Sequence, residues 1–223
     1  MGYDEIDYYH DLQAEYEAKL IEEGIREQSQ DQVRWYLGTY GDAVDARVQR
    51  CLTEARKLAA ADHGGPALVL AATAAELLIR FLILRPLVQG AFLSEEWASV
   101  LTRRVVGGRS AEDRELLPAV ARAQGLNLDA VTLADGSPMW SVVASELWPK
   151  RNAVVHAGVV VTAAEALRAI EVAEVVRSTL VGEVARRFRM TWPDTSWHEV
   201  RRRGPAAGWS TGETFNPEDP FVQ

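Results

Sequence analysis

Apolar residues recur along this chain at three- and four-residue intervals, the spacing that lines one face of an α-helix, and no stretch alternates like a strand between hairpin turns. Residues 4–30 predict a helix with a thin apolar stripe: Ile6, Leu12, Tyr16, Leu20 and Ile25. Such a stripe can dock on a surface but cannot form a core by itself. Asp42 predicts the cap of a second helix running to about Ala61, with Val44, Val48, Leu52, Ala55 and Leu58 on one face. His63-Gly64-Gly65-Pro66 reads as a stop and restart, because glycine ends helices and proline opens them. The third helix, about Pro66 to Leu84, is apolar nearly all round and is expected at the centre, closed or kinked by Arg85-Pro86.

A looser region follows. Ser94-Glu95-Glu96 caps a short helix through about Val105, Gly107-Gly108 breaks it, and Ser110 caps another through about Ala123 that Pro118 interrupts. Gly125 to Pro138 reads as a connecting loop. A helix from about Met139 to Ala157 contains Pro149 and stops at Gly158. Thr162-Ala163-Ala164-Glu165 matches a capping box, in which Thr and Glu satisfy each other's backbone donors, and opens a helix to about Arg189. Its apolar half carries Leu167, Ile170, Val172, Val175, Val176, Leu180 and Val184. From Thr191 onward the pattern dissolves into Pro, Gly, Ser and Trp, as in a tail or clamp. The expected organisation is an acidic helical arm (residues 1–32), an all-α helical domain (42–190) and an irregular tail (191–223).

Composition agrees with a packed chain: 48% of the 223 residues are hydrophobic and 25% charged, which excludes wholesale disorder. The formal net charge of −8 would argue against a nucleic-acid partner if it were spread evenly. It is not: residues 1–32 hold ten acidic side chains against two basic, and the remaining 191 residues balance at 22 against 22. Cys51 is the only cysteine, so there is no disulfide framework, cysteine-based zinc site or redox pair, and a reducing, cytoplasmic setting is expected. The N-terminus lacks a secretory pattern, and acidic residues behind Gly2 disfavour myristoylation. Glu76, Arg80 and Arg85 interrupt the most apolar stretch, so no membrane span is expected.

One constellation carries chemistry. In Trp148-Pro149-Lys150-Arg151-Asn152-Ala153-Val154-Val155-His156-Ala157-Gly158, an arginine, an amide and an imidazole sit on an otherwise apolar helix. At about 100° per residue Asn152 and His156 stack one above the other, with Arg151 at the margin. An isolated Arg-x4-His is ordinarily a core histidine beside a surface arginine. Here the helix is expected to be packed and the residue after the arginine is polar, where packing alone favours Ala or Leu. Arg151-Asn152-Ala153-Val154-Val155-His156 resembles the Arg-(Asn/His/Asp)-x-x-x-His signature of the HEPN superfamily of helical ribonuclease and nucleotide-binding domains. The early apolar helix with one embedded acid, Glu76, is similar to that family's, and the likeness covers residues 42–190.

The resemblance implies a HEPN-like up-and-down bundle acting on RNA as a homodimer, without metal or cofactor; this chain has no cluster of metal-ligand residues to contradict it. Histidine suits proton transfer at the ribose 2′-hydroxyl, and arginine offers phosphate a permanent charge and a planar fork of donors. His156 is then the general base and acid, Arg151 the stabiliser of the phosphorane, and Asn152 an orienting or phosphate-donating group. Lys150 is the expected substrate contact. Glu76 either pairs with Arg80 at i+4 or reaches Arg151 or His156 and fixes the site. In the tail, Arg186, Arg187, Arg189 and Arg201-Arg202-Arg203 lie among Trp192, Trp197, His198 and Trp209. They either bind single-stranded RNA, or the tryptophans pin the tail and leave the arginines solvated, the favoured reading.

The expected function is a metal-independent endoribonuclease from a toxin–antitoxin or antiviral defence system, held in check by an antitoxin or other regulatory protein. The alternatives are a non-catalytic HEPN module that binds nucleotide or RNA or serves in assembly, and an all-helical interaction protein with a coincidental motif. The acidic arm is expected to cover basic surface of the dimer until RNA displaces it, to bind a basic partner, or simply to aid solubility.

Overall fold

The first helix does not stop where its glycines suggest. In the computed structural model, which describes residues 5–90, 111–123, 125–192 and 197–199, α1 runs unbroken over Glu5–Ala60. At 1.5 Å per residue that is a rod of about 84 Å. The two expected helices are one, and no break separates residues 1–32 from the domain. Gly41 is there for packing: a Cβ on it would sit 2.4 Å from the indole of Trp197. Asp42, expected as a cap, instead accepts the Trp197 backbone N–H at 2.8 Å. Core burial on α1 begins at Val33, Tyr36 and Leu37. Upstream, Gln13, Glu15, Tyr16, Glu17, Lys19, Leu20 and Glu27 are exposed, so the acidic half projects from the bundle.

The expected Gly-Gly stop is also displaced. Asp62 ends α1 with a φ of 60°, a left-handed conformation that a short polar side chain tolerates. The His63 N–H then closes on the Leu58 carbonyl at 2.8 Å. Helix α2 (Gly64–Leu77) already contains both glycines, and holds Pro66 in its first turn, where a missing N–H costs nothing. Gly64 is needed for close approach, since a Cβ would fall 2.1 Å from the Val161 carbonyl oxygen.

Helix α2 continues through a π-helical turn (Leu78–Leu84) into α3 (Arg85–Gly90), so Arg85-Pro86 does not close it. The Arg85 N–H reaches back five residues to the Arg80 carbonyl, and this wider turn absorbs the proline. The composite helix is central as expected: Ala67, Leu68, Ala71, Ala72, Ala74, Ala75, Leu78, Ile79 and Leu82 are at most 1% exposed. Gly64–Leu87 is apolar enough on length and composition to cross a membrane, but 67% of that window is buried inside the fold, as a core helix is.

Helix α4 (Ala111–Ala123) carries Pro118 without interruption. The segment from Gly125 to Pro138 contributes Leu126, Leu128, Val131 and Leu133 to the core, around a 3-10 turn (Leu128–Ala130) capped by Asn127. Helix α5 (Met139–Val142), a π turn (Val143–Leu147) and α6 (Trp148–Ala157) form one rod. Helix α7 (Ala163–Val175), a π turn (Val176–Val181) and α8 (Gly182–Arg187) form another. Helix α1 packs on α2, α3 and α7, and α2 packs on α6 and α7: an all-α helical bundle.

The chain then folds back. Strands β1 (Met190–Thr191) and β2 (His198–Glu199) pair antiparallel, with Met190 opposite Glu199. Arg177 makes a two-pronged ion pair with Asp45, 2.9 Å on each prong, while its guanidinium lies 4.9 Å over the Trp192 ring. Trp192 stacks on Trp197 at 5.5 Å. These contacts pin the start of the tail to α1 and α7, as the tryptophan-clamp reading expects. The predicted helix from Ser94 to Val105, together with Arg201-Arg202-Arg203 and Trp209, lies outside the described residues.

Candidate functional site

The rod that carries the motif is buried at one end and open at the other. Met139, Trp140, Val142, Val143 and Leu147 enter the core, whereas no residue of α6 is fully buried. Trp148 and Val154 pack against the core in part, and Trp148 meets Trp140 edge-to-face at 5.5 Å. The expectation of a packed motif helix is therefore corrected: α6 lies on the surface. Pro149 falls in the first turn of α6, directly after the π turn in which the Trp148 N–H reaches the Val143 carbonyl. It opens the motif helix and leaves the turns that carry Arg151 to His156 regular. Gly158, with a φ of 63°, ends α6, and its N–H donates to the Val154 carbonyl at 3.2 Å.

Arg151, Asn152 and His156 come together on this surface helix. Arg151 is half-buried, and Asn152 and His156 are exposed. Arg151 Nη1 donates to Asn152 Oδ1 at 3.0 Å, so the amide engages the guanidinium, not the imidazole. Among the described residues no side chain holds His156, which leaves its ring open to a ligand.

The other expected site residues lie elsewhere. Lys150 Nζ donates to Glu165 Oε1 across to the first turn of α7. Glu165 Oε2 accepts from both the N–H and the Oγ1 of Thr162, each at 2.9 Å, which completes the capping box read from the sequence. The Lys150 ammonium first, and the Thr162 donors with it, hold the Glu165 carboxyl down to about 2. Glu76 pairs with Arg80 one turn along its own helix, at 4.0 Å. Its role as an orienting group for the motif is corrected to this local ion pair.

Sequence reading missed what frames the motif. Val155, Val159, Val160 and Leu167 are 49, 45, 91 and 55% exposed, and form apolar surface along α6, the loop after it and the start of α7. Leu167 was expected on the buried side of its helix. The Val159-Val160-Val161 run between a glycine stop and a capping box was the available signal. Beside it, an open groove of about 340 Å³ runs where Val154 and the 158–161 loop meet Asp62, His63, Gly64 and Pro66. A second cleft of about 300 Å³ lies between α6 and α7, with Lys150, Glu165 and Arg168 at its edge over Leu68, Leu147 and Val172. Of the arginines at the end of α8, Arg186 pairs with Glu183, and Arg187 and Arg189 are exposed. Among the described residues no three His, Cys, Asp or Glu side chains gather as a metal site.

Comparison with protein-family models, with curated proteins and with solved structures finds no match for this chain.

Proposed function

We propose that this protein is a metal-independent endoribonuclease of HEPN type that works as a homodimer. The observation that carries the reading is the joint display of Arg151, Asn152 and His156 on one accessible helix bordered by exposed valines. A single convex helix cannot enclose a phosphate. A second copy seated on Val155, Val159 and Val160 would bring two motifs face to face and bury apolar surface that otherwise faces water.

In such a cleft, one His156 takes the proton of a ribose 2′-hydroxyl as its oxygen attacks the adjacent phosphorus. The bond from phosphorus to the 5′-oxygen breaks, the second copy's His156 protonates that oxygen, and the products are a 2′,3′-cyclic phosphate and a 5′-hydroxyl. Arg151 lies against the phosphoryl oxygens and stabilises the charge that builds on them. The same proposal places the protein in the cytoplasm as a toxin or defence effector, restrained by an antitoxin or other regulatory protein.

The test is RNA cleavage by wild type, Arg151→Ala and His156→Ala with EDTA present. Wild-type cleavage that both variants lose supports the reading. A non-catalytic module that binds RNA or nucleotide is the second reading, favoured by the engagement of Arg151 with Asn152 and the absence of a cleft around the motif in one chain. A wild type that binds RNA through Arg151 but leaves it intact would establish that alternative.

A further inference from the structure

Lys150 lies one residue before the motif, yet its ammonium turns away from it to Glu165. Glu165 is an unusually well-fixed acceptor. Its other carboxylate oxygen is held by the backbone and side chain of Thr162, so little rotamer freedom remains to be lost when Lys150 binds it. The link joins the first turn of α6 to the first turn of α7 and closes a ring through the 158–162 loop. That loop is fixed independently, by the left-handed Gly158 and by the close approach of Gly64 to Val161.

Helix α6 needs such a fastening more than its neighbours do. It has no fully buried residue and rests on the partial burial of Trp148 and Val154. With the two side chains 41 and 39% exposed, the pair adds little to global stability, but it restricts how α6 can roll on the bundle. We propose that Lys150 is a positioning residue: through Glu165 it sets the pose of α6, and with it the placement of Arg151, Asn152 and His156, and it does not bind substrate. The kinetic part of this inference rests on the ribonuclease reading; the structural part does not.

The test compares full-length wild type, Lys150→Met, Glu165→Gln, the double variant and Lys150→Arg. Lys150→Met keeps the aliphatic stem, and Glu165→Gln keeps an acceptor for Thr162. The readouts are amide exchange at residues 153–157, and kcat, KM and the salt dependence of binding with a short single-stranded RNA. Each single variant is expected to speed exchange several-fold and lower kcat roughly tenfold at unchanged KM. The double variant should be no worse than either single one, and Lys150→Arg should restore both readouts. Unchanged exchange in Lys150→Met and Glu165→Gln would overturn the tether. So would a raised KM and a salt slope reduced by about one in Lys150→Met alone, the mark of a phosphate contact. If wild type cleaves no RNA, the ribonuclease reading fails, and exchange with its double-variant comparison still decides the tether.

Discussion

Gly64 shows most directly how one side chain, or the lack of one, sets this structure. The atom a Cβ would strike is a backbone carbonyl, which cannot rotate aside, so Gly64→Ala must separate α2 from the loop that follows the motif. The expected cost is about 1–3 kcal/mol, the usual range for overpacking, read as a lower urea midpoint at unchanged slope. This role was hidden in the sequence, where Gly64 and Gly65 looked like punctuation. The motif residues were legible because their polarity breaks an apolar pattern. The pairing of Lys150 with Glu165 was not: fifteen residues separate the two, and only the turn from α6 to α7 brings them together. Glu76 had a local partner at i+4 throughout, and the local partner won.

Among the elements, α7 is the one whose start was read correctly in full. Thr162 and Glu165 carry the two halves of the box within four residues, and nothing distant is needed to complete it. Thr162→Ala should cost about 1 kcal/mol in thermal or chemical unfolding. Glu165 adds a pH dependence of known sign. Its carboxyl is depressed from 4.5 to about 2 by groups present only in the folded chain. The stabilisation is therefore complete above about pH 4.5 and fades as pH falls toward 2. The thermal midpoint should drop over that window, and Glu165→Gln should flatten the drop. Helix boundaries were less legible where tertiary contacts overrule local signals. α1 passes through Gly38, Gly41 and Asp42 because Trp197, 155 residues beyond Asp42, covers Gly41 and occupies the expected cap. Pro86 and Pro149 follow π turns that take up their strain, so neither ends a helix. The exposure of α6 was missed because Val154 and Val155 look alike in sequence, although one faces the core and the other solvent.

For the whole molecule, the position of the acidic half of α1 narrows what it can do. The groove beside the motif is lined by Asp62 and His63, just past the far end of α1. About 42 Å of straight helix separates Gln32 from Ala60 at 1.5 Å per residue. The arm therefore cannot cover the motif of its own chain; masking, if it operates, acts on a second copy. Removing residues 1–28 takes away no side chain described as buried, so the thermal midpoint should move by no more than about 2 °C. Faster RNA cleavage by that truncated chain would establish masking between copies. The dimer has its own check in Val160, 91% exposed and free to change without disturbing the core. Val160→Asp should shift sedimentation from dimer to monomer and abolish cleavage while leaving the thermal midpoint of the fold in place. The central claim is tested most directly by incubating the wild type, Arg151→Ala and His156→Ala with single-stranded RNA in EDTA and identifying the termini of the products. The account predicts 2′,3′-cyclic phosphate ends from the wild type and none from either variant; equal cleavage by all three proteins, or intact RNA with the dimeric wild type, would contradict it.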